Sequence, residues 1–238
     1  MSIINHKTIK MKKIMFTVAL LSTIVLSAQT MAFTAVEVRV KEHTQKDIEE
    51  AFDKVFEGVE MKQGGVVLER IWNGRTNGMT HRLVWMYTLG VNLVDDDAIS
   101  PDRNDAFWAK INNYIEKWGS GYSGRILSWQ EGDTTKNPAI HIWDIKVENQ
   151  NQFKKGHDKI VKEFKDDFAG RVVGFGTYDI GRPDGATHWV GVSGKNRVDH
   201  LMLLDKLQKS SKFITLLQER GKTEDVKDYE LEILRRKQ

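Results

Sequence analysis

The chain has 238 residues, of which 40% are hydrophobic and 29% charged. That balance excludes a wholly disordered or fibrous protein and admits one or two globular domains. Cysteine is absent, which excludes disulfides, a thiolate nucleophile and Cys-based zinc or iron–sulfur centres. Removing Lys7, Lys10, Lys12 and Lys13 turns the formal charge of +3 into 32 basic against 33 acidic side chains. No basic surplus then remains to neutralise nucleic-acid phosphates.

Those four lysines open the chain, and an apolar run from Ile14 to Ala28 follows, with Ala28, Thr30 and Ala32 as its small-residue exit. A basic start, a short apolar centre and small residues read as a signal peptide over 1–32. The run is short of the roughly 20 apolar residues of a spanning helix. The expectation is a periplasmic or secreted protein that begins near Gln29 or Phe33 and has no membrane segment after cleavage. Met11 offers a second start.

In chain order, Val36, Val38 and Val40 alternate with Glu37, Arg39 and Lys41 as a strand of period 2. Thr44 can cap a helix carrying Ile48, Phe52, Val55, Phe56 and Val59, which Gly64-Gly65 ends. Strands follow over Val66–Trp72 and Leu83–Thr88. An acidic loop, Val91 to Asn104, precedes a helix with Phe107, Trp108, Ile111, Tyr114, Ile115 and Trp118, and Arg125–Trp129 is a closing strand. Residues 131–137 read as a polar linker between a first unit, 33–130, and a second, 138–238. The second unit repeats the order. Ile140–Val147 is a strand, and Asn149 or Asn151 caps a helix with Phe153, His157, Ile160, Val161, Phe164 and Phe168. Strands over Val172–Ile180 and Trp189–Val192 come next, then a helix from Val198 to Leu217 and a strand over Lys227–Leu234.

The repeat also shows at the level of residues. Gly74-Arg-Thr-Asn-Gly-Met-Thr-His81 matches Gly181-Arg-Pro-Asp-Gly-Ala-Thr-His188 at five of eight positions, at an offset of 107. The helical stripes superpose at an offset of 105, which predicts a two-residue insertion before the second motif. Each half is strand–helix–strand–strand–helix–strand, the ferredoxin-like order. The fold class is therefore α+β. The duplicated βαββαβ order resembles the dimeric α+β barrel superfamily in its tandem form, in which two sheets join faces into one barrel. That resemblance implies a cavity for a small molecule, with room for further oligomerisation. It also covers small oxygenases, isomerase-like enzymes, haem proteins and members without assigned chemistry, so it does not choose among activities.

Turn chemistry explains Asn77-Gly78, Pro183 and Asp184-Gly185. It leaves Arg75, Arg182, His81 and His188 unexplained. These have two readings: a brace for the hairpin, or a site in which His81 or His188 acts as general base beside Arg75 or Arg182 holding an anion. His157 occupies the place of Phe52, as a core histidine or an axial haem ligand. His200, opposite Phe107, has the same ambiguity. Trp85 joins Trp72, Trp129, Trp143 and Trp189 on strands, where most are expected in the barrel core and some in a pocket wall. The aspartates of 95–105 suggest a solvated insertion or a calcium loop, though without EF-hand spacing. Three functions stay open: an exported small-molecule-binding barrel, a cofactor-independent oxygenase or isomerase, and a structural protein with a filled barrel. No Ser/His/Asp order, Gly-rich phosphate loop or paired-His metal spacing is present.

Overall fold

The computed structural model describes residues 29–74 and 77–238. The leader therefore lies mostly outside the described residues, and so does Arg75.

Among the described residues, eight strands and five helices follow the expected order, with one extra helix in the second unit. The strands are β1 (Met31–Val40), β2 (Gly65–Asn73), β3 (His81–Thr88), β4 (Ile115–Gln130), β5 (Ala139–Val147), β6 (Val173–Thr177), β7 (His188–Gly194) and β8 (Thr223–Lys237). The helices are α1 (Gln45–Val55), α2 (Pro101–Asn112), α3 (Gln150–Glu163), α4 (Arg197–Gln208) and α5 (Ser211–Glu219). The strands close into one barrel in the order β1-β3-β2-β8-β5-β7-β6-β4. Within it β4-β1-β3-β2 and β8-β5-β7-β6 are two ferredoxin-like sheets. One seam, β2 with β8, runs from Val66↔Lys237 to Asn73↔Glu230. The other, β4 with β6, is shorter, from Ile126↔Gly176 to Gln130↔Val173.

Three expectations need correction. The helix placed over Phe107–Trp118 lies earlier, because Ser100 caps it by accepting from the Arg103 amide and Pro101 fits its first turn. Pairing with β1 then draws Ile115 and Trp118 into β4, opposite Val40 and Val38. Between β7 and β8 stand two helices rather than one, since Ser210 caps a new start. The two-residue insertion before the second motif is present, between α3 and β6, and a link two residues shorter between β5 and α3 balances it. Four residues join β1 to α1 and two join β5 to α3, while every strand pair keeps the offset of 107. Thr44 precedes α1 without a side-chain cap bond, whereas the Asn149 side chain does cap α3.

Each strand has two covered faces. Outside, Val38, Leu68 and Leu83 pack on Ile48, Phe52 and Ile111 of α1 and α2. The second half does the same with Val173, Val192, Ile160, Leu203 and Leu216. Inside, Phe33, Val67, Val84, Ile142, Trp189 and Leu231 meet across the barrel. Of the five tryptophans expected on strands, Trp189 belongs to that interior core and Trp129 lines the cavity described below. Trp129 is partly exposed there, Trp72 is exposed, and Trp85 and Trp143 pack beneath the helices. Among the described residues no helix is long and apolar enough to cross a membrane.

Candidate functional site

The repeated octapeptides close one end of the barrel. Asn77 and Asp184 take left-handed φ of 52° and 48°, and Gly74 and Gly181 share a φ of 67°. A Cβ on Gly74 would lie 2.3 Å from the Asp228 carbonyl oxygen, and one on Gly181 would lie 2.2 Å from that of Gly121. Each motif thus rests on the last strand of the opposite half, where only glycine fits. Thr80 and Thr187 then tie it down. Their hydroxyls accept from the amides of Val40 and Val147 at 2.9 and 3.1 Å. They also meet the Nδ1 atoms of His81 and His188 at 2.9 and 2.8 Å.

Both histidines therefore point away from the barrel interior, toward the helices. His81 is fully buried on the face of β3 that carries Leu83. His188 stacks on Phe175, and its Nε2 lies 3.2 Å from the Gln150 side-chain oxygen. Burial pulls the His188 ring down to about 4. The expectation that one of them borders the cavity beside an arginine is not met, because the threonine preceding each ring anchors it outside. Arg182 is exposed and donates to the Tyr178 carbonyl. Trp85 packs against the outer core. His157 is buried under α3 between Phe153 and Phe175, and burial pulls it down to about 4. His200 instead meets His141, with 2.8 Å between ring nitrogens.

The cavity opens at the other end, beside residues 131–134 and the C-terminal residues Arg236 and Gln238. It measures about 380 Å³, within the range of small-ligand sites. Its walls are apolar: Phe33, Val84, Ile126, Ile142, Trp189 and Ile233. Glycines shape it. A Cβ on Gly174 or Gly176 would come within 2.9 or 2.7 Å of the Trp189 ring, so only glycine on β6 lets that indole lie flat.

The floor is polar, and sequence reasoning missed it. Arg82, Glu69 and Tyr178 line the cavity bottom. Arg82 donates through Nε to Glu69 and through Nη1 to the hydroxyls of Tyr122 and Tyr229, at 3.3 and 3.0 Å. Burial opposes its charge, but Glu69 more than offsets this and holds the guanidinium well above its ordinary value. Burial pushes the Tyr122 phenol up to about 12 and raises the Glu37 carboxyl, which accepts from Tyr122 at 3.4 Å. Tyr178 donates to Asp144 at 2.6 Å. Asp144 is fully buried, and burial pushes it up to about 6, against the opposing effects of Tyr178 and Lys227.

The cavity walls contain no histidine to act as a proximal haem ligand, and Tyr178, the wall's phenol, gives its proton to Asp144. His157 lies outside the barrel, wedged between aromatic rings. Among the described residues no three His, Asp or Glu side chains meet as a metal site. In the acidic loop, Asp95 pairs with Lys62 and Asp96 accepts from Asn92.

No protein-family model and no curated protein matches the sequence. Solved structures do match its shape. A candidate monooxygenase of Lactobacillus acidophilus superposes with a TM-score of 0.59 at 12% identity, covering 87% of this chain and 96% of that one. A candidate monooxygenase of Fusobacterium nucleatum gives 0.59 at 16% identity, with 88% and 95% covered. A haem-binding protein of Thermus thermophilus gives 0.48 at 7% identity, over 87% and 92%. At such identities the likeness is one of fold alone: an α+β barrel of two ferredoxin-like units.

Proposed function

We propose that this protein is an exported small-molecule-binding barrel whose ligand enters beside residues 131–134 and rests on the Arg82–Tyr178 floor. The observation that carries this is the cavity itself, a space of about 380 Å³ with apolar aromatic walls and a few convergent polar groups at its base. A barrel kept only for structure would have filled that space, because close packing is the rule in protein interiors. Export is supported by the basic, apolar and small-residue segments of residues 1–32. Sequencing the N-terminus of the protein recovered outside the cytoplasm tests it, with a start near Gln29 or Phe33 expected.

Binding is tested with the uncharged fluorophore N-phenyl-1-naphthylamine. Its emission should rise and saturate at one probe per chain. Val84→Trp, which places an indole in the cavity, should abolish the rise while leaving the circular dichroism unchanged. A Val84→Trp protein that binds as the parent does would overturn the reading.

A further inference from the structure

The cavity floor also limits the charge of what can bind there. This step rests on the reading of the cavity as a ligand site. We infer that the floor selects an uncharged aromatic ligand whose polar end sets a carbonyl beside an N–H or O–H, and that it rejects carboxylates.

Arg82 lines the cavity and makes its protein hydrogen bonds through Nε and Nη1. Its Nη2 donates to no group among the described residues, so two N–H bonds remain for a ligand acceptor. Glu69 uses Oε2 toward Arg82, which leaves Oε1 as an acceptor in the same wall. Tyr178 spends its proton on Asp144, so its oxygen can only accept from the ligand. One donor pair beside two acceptors matches a carbonyl flanked by N–H or O–H.

A lone cationic Arg82 would suit a carboxylate, but Glu69 already neutralises it. Behind the pair stand Glu37 and Asp144, both buried. The nearby Lys227 is shared, with Asp184 at 2.8 Å and Asp144 at 3.8 Å. The surroundings therefore carry more acid than base, and burial already pushes the Glu37 and Asp144 carboxyls up. An entering carboxylate would lose its hydration and gain no uncompensated cation, which is unfavourable in a low-dielectric interior. A neutral amide or hydroxy-ketone loses far less and pairs with both kinds of group.

Two probes of nearly equal shape separate the cases: 2-naphthamide, neutral with a carbonyl beside N–H, and 2-naphthoate, the anion. Calorimetric titration should show the amide binding at least about tenfold tighter, equivalent to 1.4 kcal/mol. Glu69→Gln keeps the shape but removes the carboxylate paired with Arg82, and should shift the preference toward naphthoate. Tyr178→Phe should weaken naphthamide about tenfold and leave unsubstituted naphthalene unaffected. If the parent protein prefers naphthoate, or the amide-to-acid ratio is the same in Glu69→Gln, the inference is overturned while the cavity remains a ligand site. If neither probe nor naphthalene binds, the ligand-site reading fails and takes the inference with it.

Discussion

The two halves of the barrel share a backbone register and differ in what they place inside it. At the common offset of 107, Val38 pairs with His81 as Ile145 does with His188, and Ala35 with Tyr122 as Ile142 does with Tyr229. The outer features are kept: the left-handed glycines, the threonine that reaches back to the first strand, and the histidine it holds. The interior is kept only in part: the buried acids Glu37 and Asp144 and the tyrosines Tyr122 and Tyr229 stand at equivalent positions, while their neighbours differ. Where the first half has Val67, Glu69, Arg82 and Val84, the second has Gly174, Gly176, Trp189 and Gly191. At these four positions the first half supplies the Arg82–Glu69 ion pair, and the second supplies an aromatic plate with glycines to make room for it. The comparison teaches that the repeated motif builds the scaffold, while the cavity itself is shaped where the repeat has diverged, over a layer of acids and tyrosines that both halves share.

The strongest way to break the comparison is through the shared glycines. Gly181→Ala forces a side chain into left-handed backbone and drives its Cβ to 2.2 Å from the Gly121 carbonyl oxygen. The expected loss is about 3 kcal/mol or more in urea unfolding. Gly74→Ala, its mate against Asp228 and Tyr229, should cost about the same. Gly58, with a φ of 69° but open space around it, provides the control. Gly58→Ala should cost only the backbone strain, roughly 1 kcal/mol. Equal losses at Gly58 and Gly181 would mean that the motifs do not lock one half to the other.

Next in size come the hydroxyls. Thr187→Val leaves the Val147 amide without its partner and frees one side of His188, and Thr80→Val does the same at Val40 and His81. Each should cost about 1–3 kcal/mol. Matching values at the two sites would sharpen the view that the motif is a brace used twice. A loss of probe binding without a loss of stability would restore the motif as a site.

How far the sequence was legible follows the same division. The repeat, the element order and the barrel were readable because hydrophobic period and turn chemistry act locally. The boundary of α2 was not, because pairing of Ile115 and Trp118 with β1 overrides their helical spacing. The site was missed for a geometric reason. Val36, Val38 and Val40 alternate with Glu37, Arg39 and Lys41, which reads as a core face and a solvent face. In a closed barrel under helices both faces are covered, so Glu37 turns inward with Glu69, Arg82 and Asp144. The available signal was a strand pattern whose polar face had no water to meet. The repeated Arg and His drew attention instead, because a repeated polar motif looks like chemistry when it is architecture.

The smallest expected effect separates the halves by pH. His157 occupies the helical position that Phe52 fills in the first half, and its Nε2 has no hydrogen-bond partner. Burial holds it down to about 4, from an ordinary value of 6.5, and the same holds for His188 and His200. An unfolded chain binds protons at these rings near pH 6.5, whereas the folded chain resists them until near pH 4. Their contribution to stability is therefore complete above about pH 6.5 and is lost as the pH falls toward 4. Asp144, pushed up to about 6, acts in the opposite sense and gains as the pH falls, so it offsets part of the loss. His157→Phe removes one of the three histidines and restores the ring found in the first half. At pH 8 its stability should lie within about 1 kcal/mol of the parent, since an aromatic replaces an aromatic of similar volume. At pH 5 it should exceed the parent by on the order of 1 kcal/mol, because the parent alone carries that protonation penalty. Urea midpoints at the two pH values decide it. A gain independent of pH would assign the difference to packing, and no gain at pH 5 would show that His157 takes up its proton in the folded barrel at no cost.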